Sequence, residues 1–294
     1  MYYIIYPLLY LLSLLPWRVL YLLSDGLAAL TYHVIGYRKE VVLGNLAIAF
    51  PEKTEEERRT IAKEFYRNLI DTFIETIKLL SLSDAAFAKR YSTNNEIVNA
   101  FYDSGRNVQI HAGHFFNLEV VNLGESRYGA FPFVVVYMPI SNKAFDKIIY
   151  DLRTRYGGVL IPAMDFRTKF HQYVKGRYSL ALAADQNPGS PMAAHWIKFF
   201  GRYTPFIPGP EKGAKTNDTI VVFANFYKLK RGYYHMQYEV MTTEPRSFPT
   251  GKLTEMFAER IEKAVRERPA NYLWSHRRWK YEFDPEKYGH LVVK

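Results

Sequence analysis

A chain of 294 residues, 48% of them apolar, is long enough to enclose a sizeable core and too apolar for intrinsic disorder. The absence of cysteine excludes a thiol nucleophile, a disulfide framework and thiolate zinc sites. A net charge of +10 draws the chain toward polyanions (nucleic acid, anionic headgroups or an acidic carrier protein), and 24 Tyr with 20 Phe suit a boundary between water and an apolar phase.

The N-terminus bears on that choice of partner. Met1 to Leu15 carries no charged side chain, Pro16-Trp17-Arg18 interrupts it, and Val19 to Leu23 resumes the apolar run. Fifteen helical residues reach about 22 Å, against a hydrocarbon core of roughly 30 Å. Residues 1–24 therefore read as a membrane-anchor helix that lies on the bilayer or crosses it at a tilt, with a buried core helix as the competing reading. No basic residue precedes Arg18 and no small-x-small site follows, which argues against a cleaved secretory signal. Leu27 to Phe50 reads as helix, turn, helix, with the turn near Tyr37-Arg38-Lys39. Thr54-Glu-Glu-Glu57 spells a capping box, and Ile61, Phe65, Leu69, Phe73 and Ile77 recur at i+4, predicting an amphipathic helix over 55–80. Ser81 to Thr93 reads as a short helix or connector.

From residue 107 short apolar runs alternate with helical patterns, as in a largely parallel sheet. The expected strands are 107–112, 133–137, 158–161, 179–184, 219–227 and 235–240; the expected helices are 118–128, 142–156, 165–175 and 252–268. The fold class is α/β, a largely parallel central sheet flanked by helices behind an apolar N-terminal helical region. The expected division is an anchor at 1–24 and one domain at 25–294, with a helical lead-in over 25–95 and an α/β core over 96–294. Ser179 to Ala184 reads as a buried central strand. It ends in Asp185-Gln-Asn-Pro-Gly189, a turn that displays a carboxylate at the sheet edge where the strand 107–112 also ends.

That strand runs into the most informative stretch, His111-Ala-Gly-His114-Phe-Phe-Asn-Leu-Glu119. A histidine five residues before a glutamate can be a general base held by a carboxylate. On one continuous helix the two would sit about 140° apart and could not touch. The spacing thus expects His114 in the turn before the helix and Glu119 in its opening part. A hydrogen-bonded structural histidine, with Glu119 placed for the helix dipole, is the alternative. His111 ranks second as a base, because the residue five further on is Phe116. Nucleophile-elbow, P-loop, dinucleotide and zincin motifs are all absent from the sequence.

Taken together, these segments resemble the late acyltransferases of lipid A biosynthesis, the lauroyl and myristoyl transferases of the lysophospholipid acyltransferase-like superfamily. Five features carry the resemblance, in the family's order: Asn45-Leu46 with Phe50-Pro51 and Glu55-Glu-Glu-Arg-Arg59; His114 to Glu119 as H-x4-[DE]; Arg153-Thr-Arg155-Tyr-Gly157; Ala184 to Gly189; and Tyr272-Leu-Trp-Ser-His-Arg-Arg-Trp-Lys280. Thr204 to Lys212, a block that would shape the acyl pocket or acceptor entrance, departs from the small-residue run expected there.

The resemblance implies transfer of a fatty acyl chain from a carrier thioester to a hydroxyl of a lipid A precursor. His114 would be the base and Glu119 its orienting carboxylate, with backbone N–H groups of Phe115, Phe116 and Asn117 facing the oxyanion. Arg153 would neutralise a phosphate or carbonyl, and Asp185 would orient that arginine or the sugar. His276, Arg277 and Arg278 would recognise a headgroup phosphate or the acidic carrier, or else form a basic patch packed on Trp274 or Trp279. No metal and no cofactor is expected beyond an acyl-carrier-protein or coenzyme A thioester as co-substrate. The expected partners are a membrane lipid acceptor, acyl carrier protein and the cytoplasmic side of a bacterial inner membrane, and not nucleic acid. An amino lipid or glycosylated phospholipid as acceptor, a silent lipid-binding relative, and a lipase-like hydrolase are the rival readings.

Overall fold

The computed structural model describes residues 1–293. Helices α1 (Tyr2–Leu14), α2 (Trp17–Leu30, prolonged by a π turn Thr31–Ile35), α3 (Lys39–Ala49), α4 (Glu55–Leu79) and α5 (Asp84–Ala88) precede strand β1 (Tyr91–Thr93) and the short α6 (Glu96–Asn99). Strands and helices then alternate: β2 (Val108–Ala112), α7 (Leu118–Tyr128), β3 (Phe133–Tyr137), α8 (Lys143–Arg153), β4 (Val159–Pro162), α9 (Phe166–Tyr173) and β5 (Ser179–Ala183). The chain closes with β6 (His195–Phe199), β7 (Arg202–Phe206), α10 (Gly209–Asn217), β8 (Ile220–Lys230), β9 (Tyr233–Thr242), α11 (Lys252–Glu267) and α12 (Pro285–Tyr288).

Seven strands form one sheet in the order β1-β9-β8-β2-β5-β3-β4, and every neighbouring pair is parallel except the β8–β9 hairpin. A parallel sheet must be covered on both faces, which is why its middle strand, β2, is buried at all five residues. The expected α/β class and all six expected strands are present, with no end moved by more than three residues. Three strands were not foreseen. β1 has only three residues and hides in the expected connector, yet it pairs with β9 and so brings the lead-in into the sheet. β6 and β7 form a separate antiparallel pair turning at Phe200-Gly201, and the divergent block 204–212 becomes the end of β7 and the start of α10.

The β1 contact depends on a missing side chain. Gly124 lies in α7 where a Cβ would sit 2.3 Å from the Tyr91 ring, and the closeness lets the Tyr91 hydroxyl donate to the buried Glu125 carboxylate. Gly124→Ala is expected to cost about 1–3 kcal/mol through overpacking, read as a lower denaturant midpoint with unchanged far-ultraviolet dichroism.

The N-terminal helices pack on α4, and α1 also touches α8. Among the described residues no single helix is long and apolar enough to cross a membrane; α1 and α2 with its π turn together pass that test but are bent by 113° at their break. Pro16 lies in the break, and the freed carbonyls of Ser13 and Leu15 accept from the Lys78 ammonium at 2.7 and 3.0 Å. Helix α2 is turned inside out. Ser24 and Tyr21 donate to Asp71 and Glu75 of α4, and Arg231 reaches Asp25, while Leu22 and Val34 stand 72% and 74% exposed.

Candidate active site

The register of two central strands builds the site. β2 and β5 run parallel with Ala112 opposite Ala183, and Ala184 N–H still donates to the Ala112 carbonyl. Two further residues on each strand give His114 and Asp185, side by side at the carboxyl edge of the sheet, where open α/β folds collect ligands. The imidazole Nδ1 lies 2.6 Å from Asp185 Oδ1, and the His114 backbone N–H donates to both carboxylate oxygens at 3.1 Å. Asp185 is fully buried, whereas 23% of the His114 side chain is exposed. An Nδ1–H bound to a carboxylate leaves Nε2 as the lone-pair nitrogen, and among the described residues nothing hydrogen-bonds to it.

Electrostatics follow from that contact. Burial pulls the His114 pKa down, but the charge and hydrogen bond of Asp185 outweigh it and the net shift is upward. Burial pushes Asp185 the other way from its partners, and the His114 ring, the His114 N–H and the Tyr272 hydroxyl bring it down to about 2.

The geometry corrects the expected pairing. Glu119 does not hold His114; its carboxylate accepts a two-pronged bond from the Arg153 guanidinium at 2.7 and 2.5 Å. Asp185, expected to orient the arginine or the sugar, instead holds the histidine. Glu119 does open α7 as anticipated, so the five-residue spacing is compatible with the turn, but an arginine at the end of α8 reaches it first. The H-x4-E stretch thus contributes to two ion pairs, His114–Asp185 and Glu119–Arg153.

The C-terminal motif closes over the turn. Leu273 N–H donates to the His114 carbonyl and Phe116 N–H to the Asn271 carbonyl, and Phe115 N–H donates to Gly113. Two of the three expected oxyanion donors, Phe115 and Phe116, are therefore engaged within the protein, which leaves Asn117. Gly113 belongs to the same tight packing, since a Cβ there would come within 2.7 Å of Ile261 Cδ1.

His276, Arg277 and Arg278 do not act as one patch. Arg278 is 1% exposed, donates to Asn187 Oδ1 and the Pro205 carbonyl at 3.0 Å, and lies over the Phe206 ring instead of Trp274 or Trp279. Burial, only partly offset by Tyr272 and Asp185, lowers its pKa to about 10. His276 Nε2 accepts from Asn187 N–H, and burial followed by the Arg278 charge lowers its pKa to about 4, so the ring is neutral. These two side chains lock the Asp-Gln turn in place and are not free to take a phosphate; Arg277 is the exposed member. His111 is 2% exposed in mid-sheet, its Nε2 2.6 Å from Gln109 Nε2, and burial holds its pKa at about 4.

Sequence reasoning missed Asn45, whose amide donates to the carbonyls of Trp274 and His276 at 2.8 and 2.7 Å. It also missed Asn187 and Tyr272. The signal was the Asn45-Leu46 signature itself, which carries a structural clamp on the C-terminal motif.

A histidine backed by a buried carboxylate, at the carboxyl edge of an open and largely parallel sheet, is an arrangement of the α/β enzyme class that is chemically able to take up a proton. The chain matches the model of the bacterial lipid A biosynthesis acyltransferase family over residues 1–281 and belongs to that family, as an O-acyltransferase. It is 25% identical over 277 residues to the lipid A biosynthesis palmitoleoyltransferase of Escherichia coli strain K12, covering 90% of this chain and 86% of that one. It is 24% identical over 284 residues to the lauroyltransferase of the same organism, covering 92% and 89%. A lipid A biosynthesis acyltransferase of Haemophilus influenzae is 23% identical over 269 residues, covering 90% and 83%.

Proposed function

We propose that the protein transfers a fatty acyl chain from an acyl-carrier-protein or coenzyme A thioester to a hydroxyl of a lipid A precursor, at the cytoplasmic face of a bacterial inner membrane. The observation that carries this reading is the His114–Asp185 pair, which leaves His114 Nε2 unengaged. Nε2 takes the proton of the acceptor hydroxyl as its oxygen bonds to the thioester carbonyl carbon. Asp185 stabilises the imidazolium so formed. The tetrahedral intermediate then collapses, the carbon–sulfur bond breaks, and the proton on Nε2 passes to the departing thiolate. Of the three expected oxyanion donors only the Asn117 N–H is not engaged among the described residues, and that residue is fully buried. Arg153, steadied by Glu119, supplies positive charge for the carbonyl or a lipid phosphate.

The setting supports a lipid substrate. The exposed apolar face of α2, backed by buried polar contacts, is the reverse of a water-facing helix and suits insertion into the apolar part of a membrane leaflet. An apolar cavity of about 140 Å³ lies where α1, α4 and α8 meet, lined by Leu9, Phe73, Ile77, Ile149 and Leu152 among others. The acceptor class rests on the family and on the role in lipid A biosynthesis that the names of its relatives state.

Purified protein, each thioester in turn and a lipid A precursor are expected to yield an acceptor heavier by one acyl chain in mass spectrometry. Acylation of an amino lipid or glycosylated phospholipid instead would reassign the acceptor. Fatty acid released without any acceptor would mark a hydrolase, and lipid binding without chemical change a silent relative.

A further inference from the structure

Helix α4 presents three polar side chains, Asn68, Asp71 and Glu75, on one buried face. Asp71 is neutralised by Lys228 and Arg231. Glu75, one turn further on, is 2% exposed and, among the described residues, has no cation within ion-pair distance. A buried carboxylate without an ion pair is costly, and an apolar side chain would fill the place at less cost. Its oxygens instead collect three neutral donors from three elements. Tyr21 of α2 donates at 3.1 Å, Tyr234 of β9 at 2.6 Å, and the Asn117 amide at 3.2 Å.

Asn117 connects this carboxylate to the site. It is fully buried, and its Oδ1 caps α7 by accepting from the N–H groups of Glu119 and Val120. Its amide has one end on the helix that carries Glu119 and the other on Glu75. The residue lies three positions after His114, so whatever fixes the Asn117 side chain fixes the turn that presents the imidazole.

We propose that Glu75 is a positioning residue: through Asn117 it sets the turn that presents His114, and through Tyr21 it ties that turn to the apolar-faced helix α2. The pairing is specific in polarity, carboxylate on α4 and amide on the turn, and that polarity can be reversed. Asn117→Asp keeps the helix cap but turns a carboxylate toward Glu75. Glu75→Gln combined with Asn117→Asp restores one amide facing one carboxylate.

Only the kinetic arm of the test rests on the acyl-transfer reading; the second arm is read without substrate. In full-length protein in detergent micelles, N117D is expected to lower kcat about 100-fold with little change in KM, the loss typical of an ångström-scale misplacement. The ring resonances of His114, in protein labelled with ¹⁵N-histidine, are expected to move in N117D and to return in E75Q/N117D, with kcat recovering to within about tenfold of wild type. A double variant no better than N117D in both readouts overturns the proposal, as does an N117D protein whose kcat and His114 resonances match wild type. Should N117D not fold, Y234F removes one donor from Glu75 without touching the turn. A shift of the His114 resonances supports the proposal there, and their constancy overturns it. If wild-type protein acylates no acceptor, the acyl-transfer reading fails while the resonances still decide the role of Glu75.

Discussion

Asp185→Asn is expected to cut acyl transfer by about 10³- to 10⁴-fold while the protein stays folded, as loss of the orienting carboxylate does in comparable histidine systems. Both Asp185 oxygens accept from His114 N–H groups, so an asparagine must turn its own NH₂ toward one of those donors. His114→Ala is expected to remove transfer to the background of the assay. The pH profile gives the more specific signature. A base must be neutral, so wild-type activity falls as pH drops through the raised His114 pKa. Without the carboxylate only burial acts on the ring, and burial favours the neutral form. The acid limb of D185N therefore moves to lower pH than that of wild type. Glu119→Gln provides the contrast. It loosens Arg153, so it is expected to raise KM and leave the acid limb where it was. An acid limb that moves in E119Q and stays in D185N would return the orienting role to Glu119.

How much of this was legible depended on range along the chain. The helix over 55–80 and the strand 133–137 announce themselves by periodicity and by apolar runs, and the structure gives α4 and β3 within a residue. Strands as short as β1 and turns as tight as Phe200-Gly201 carry too few residues to form a pattern. His114 was legible because motif and position both pointed to a strand-end turn. Its partner was not. Glu119 is near in sequence, whereas Asp185 is 71 residues away and becomes a neighbour only through the β2–β5 register. The carboxylate at the shared sheet edge was visible in Asp185-Gln-Asn-Pro-Gly189, but a sequence states which edge a strand ends on without stating which strands adjoin. The C-terminal His-Arg-Arg shows the other limit. Charge composition reads it as a surface patch, and burial of Arg278 behind Asn187 and Phe206 is a property of packing alone.

Asp71→Ala is expected to be the most damaging substitution away from the reacting groups, at about 3–5 kcal/mol, because it removes one partner of a buried ion cluster and strands the other charges. Asp71 is fully buried and accepts from Ser24 at 2.7 Å, Lys228 at 2.9 Å and Arg231 at 2.6 Å. Arg231 keeps Asp25 in the variant and Lys228 keeps Asn68, but neither neutral nor exposed contacts replace a buried carboxylate. Burial raises the Asp71 pKa, yet the hydrogen bonds of Arg231 and the charge of Lys228 prevail and the net shift is downward. A carboxylate whose folded pKa is lowered contributes stability above its unfolded value and loses it as pH falls through the folded one. The gap between wild type and D71A should accordingly narrow as pH drops below about 4. Guanidinium unfolding in detergent measures it. Asp71→Leu with Lys228→Met is expected to recover part of the loss, because an apolar pair of similar volume leaves less unmatched charge. The same cluster holds the polar side of α2 against α4, so in D71A protease should cut within residues 17–35 sooner than in wild type. Equal unfolding midpoints for D71A and wild type would mean that α2 is held by its buried Leu20 and Ala28 and not by the ion cluster.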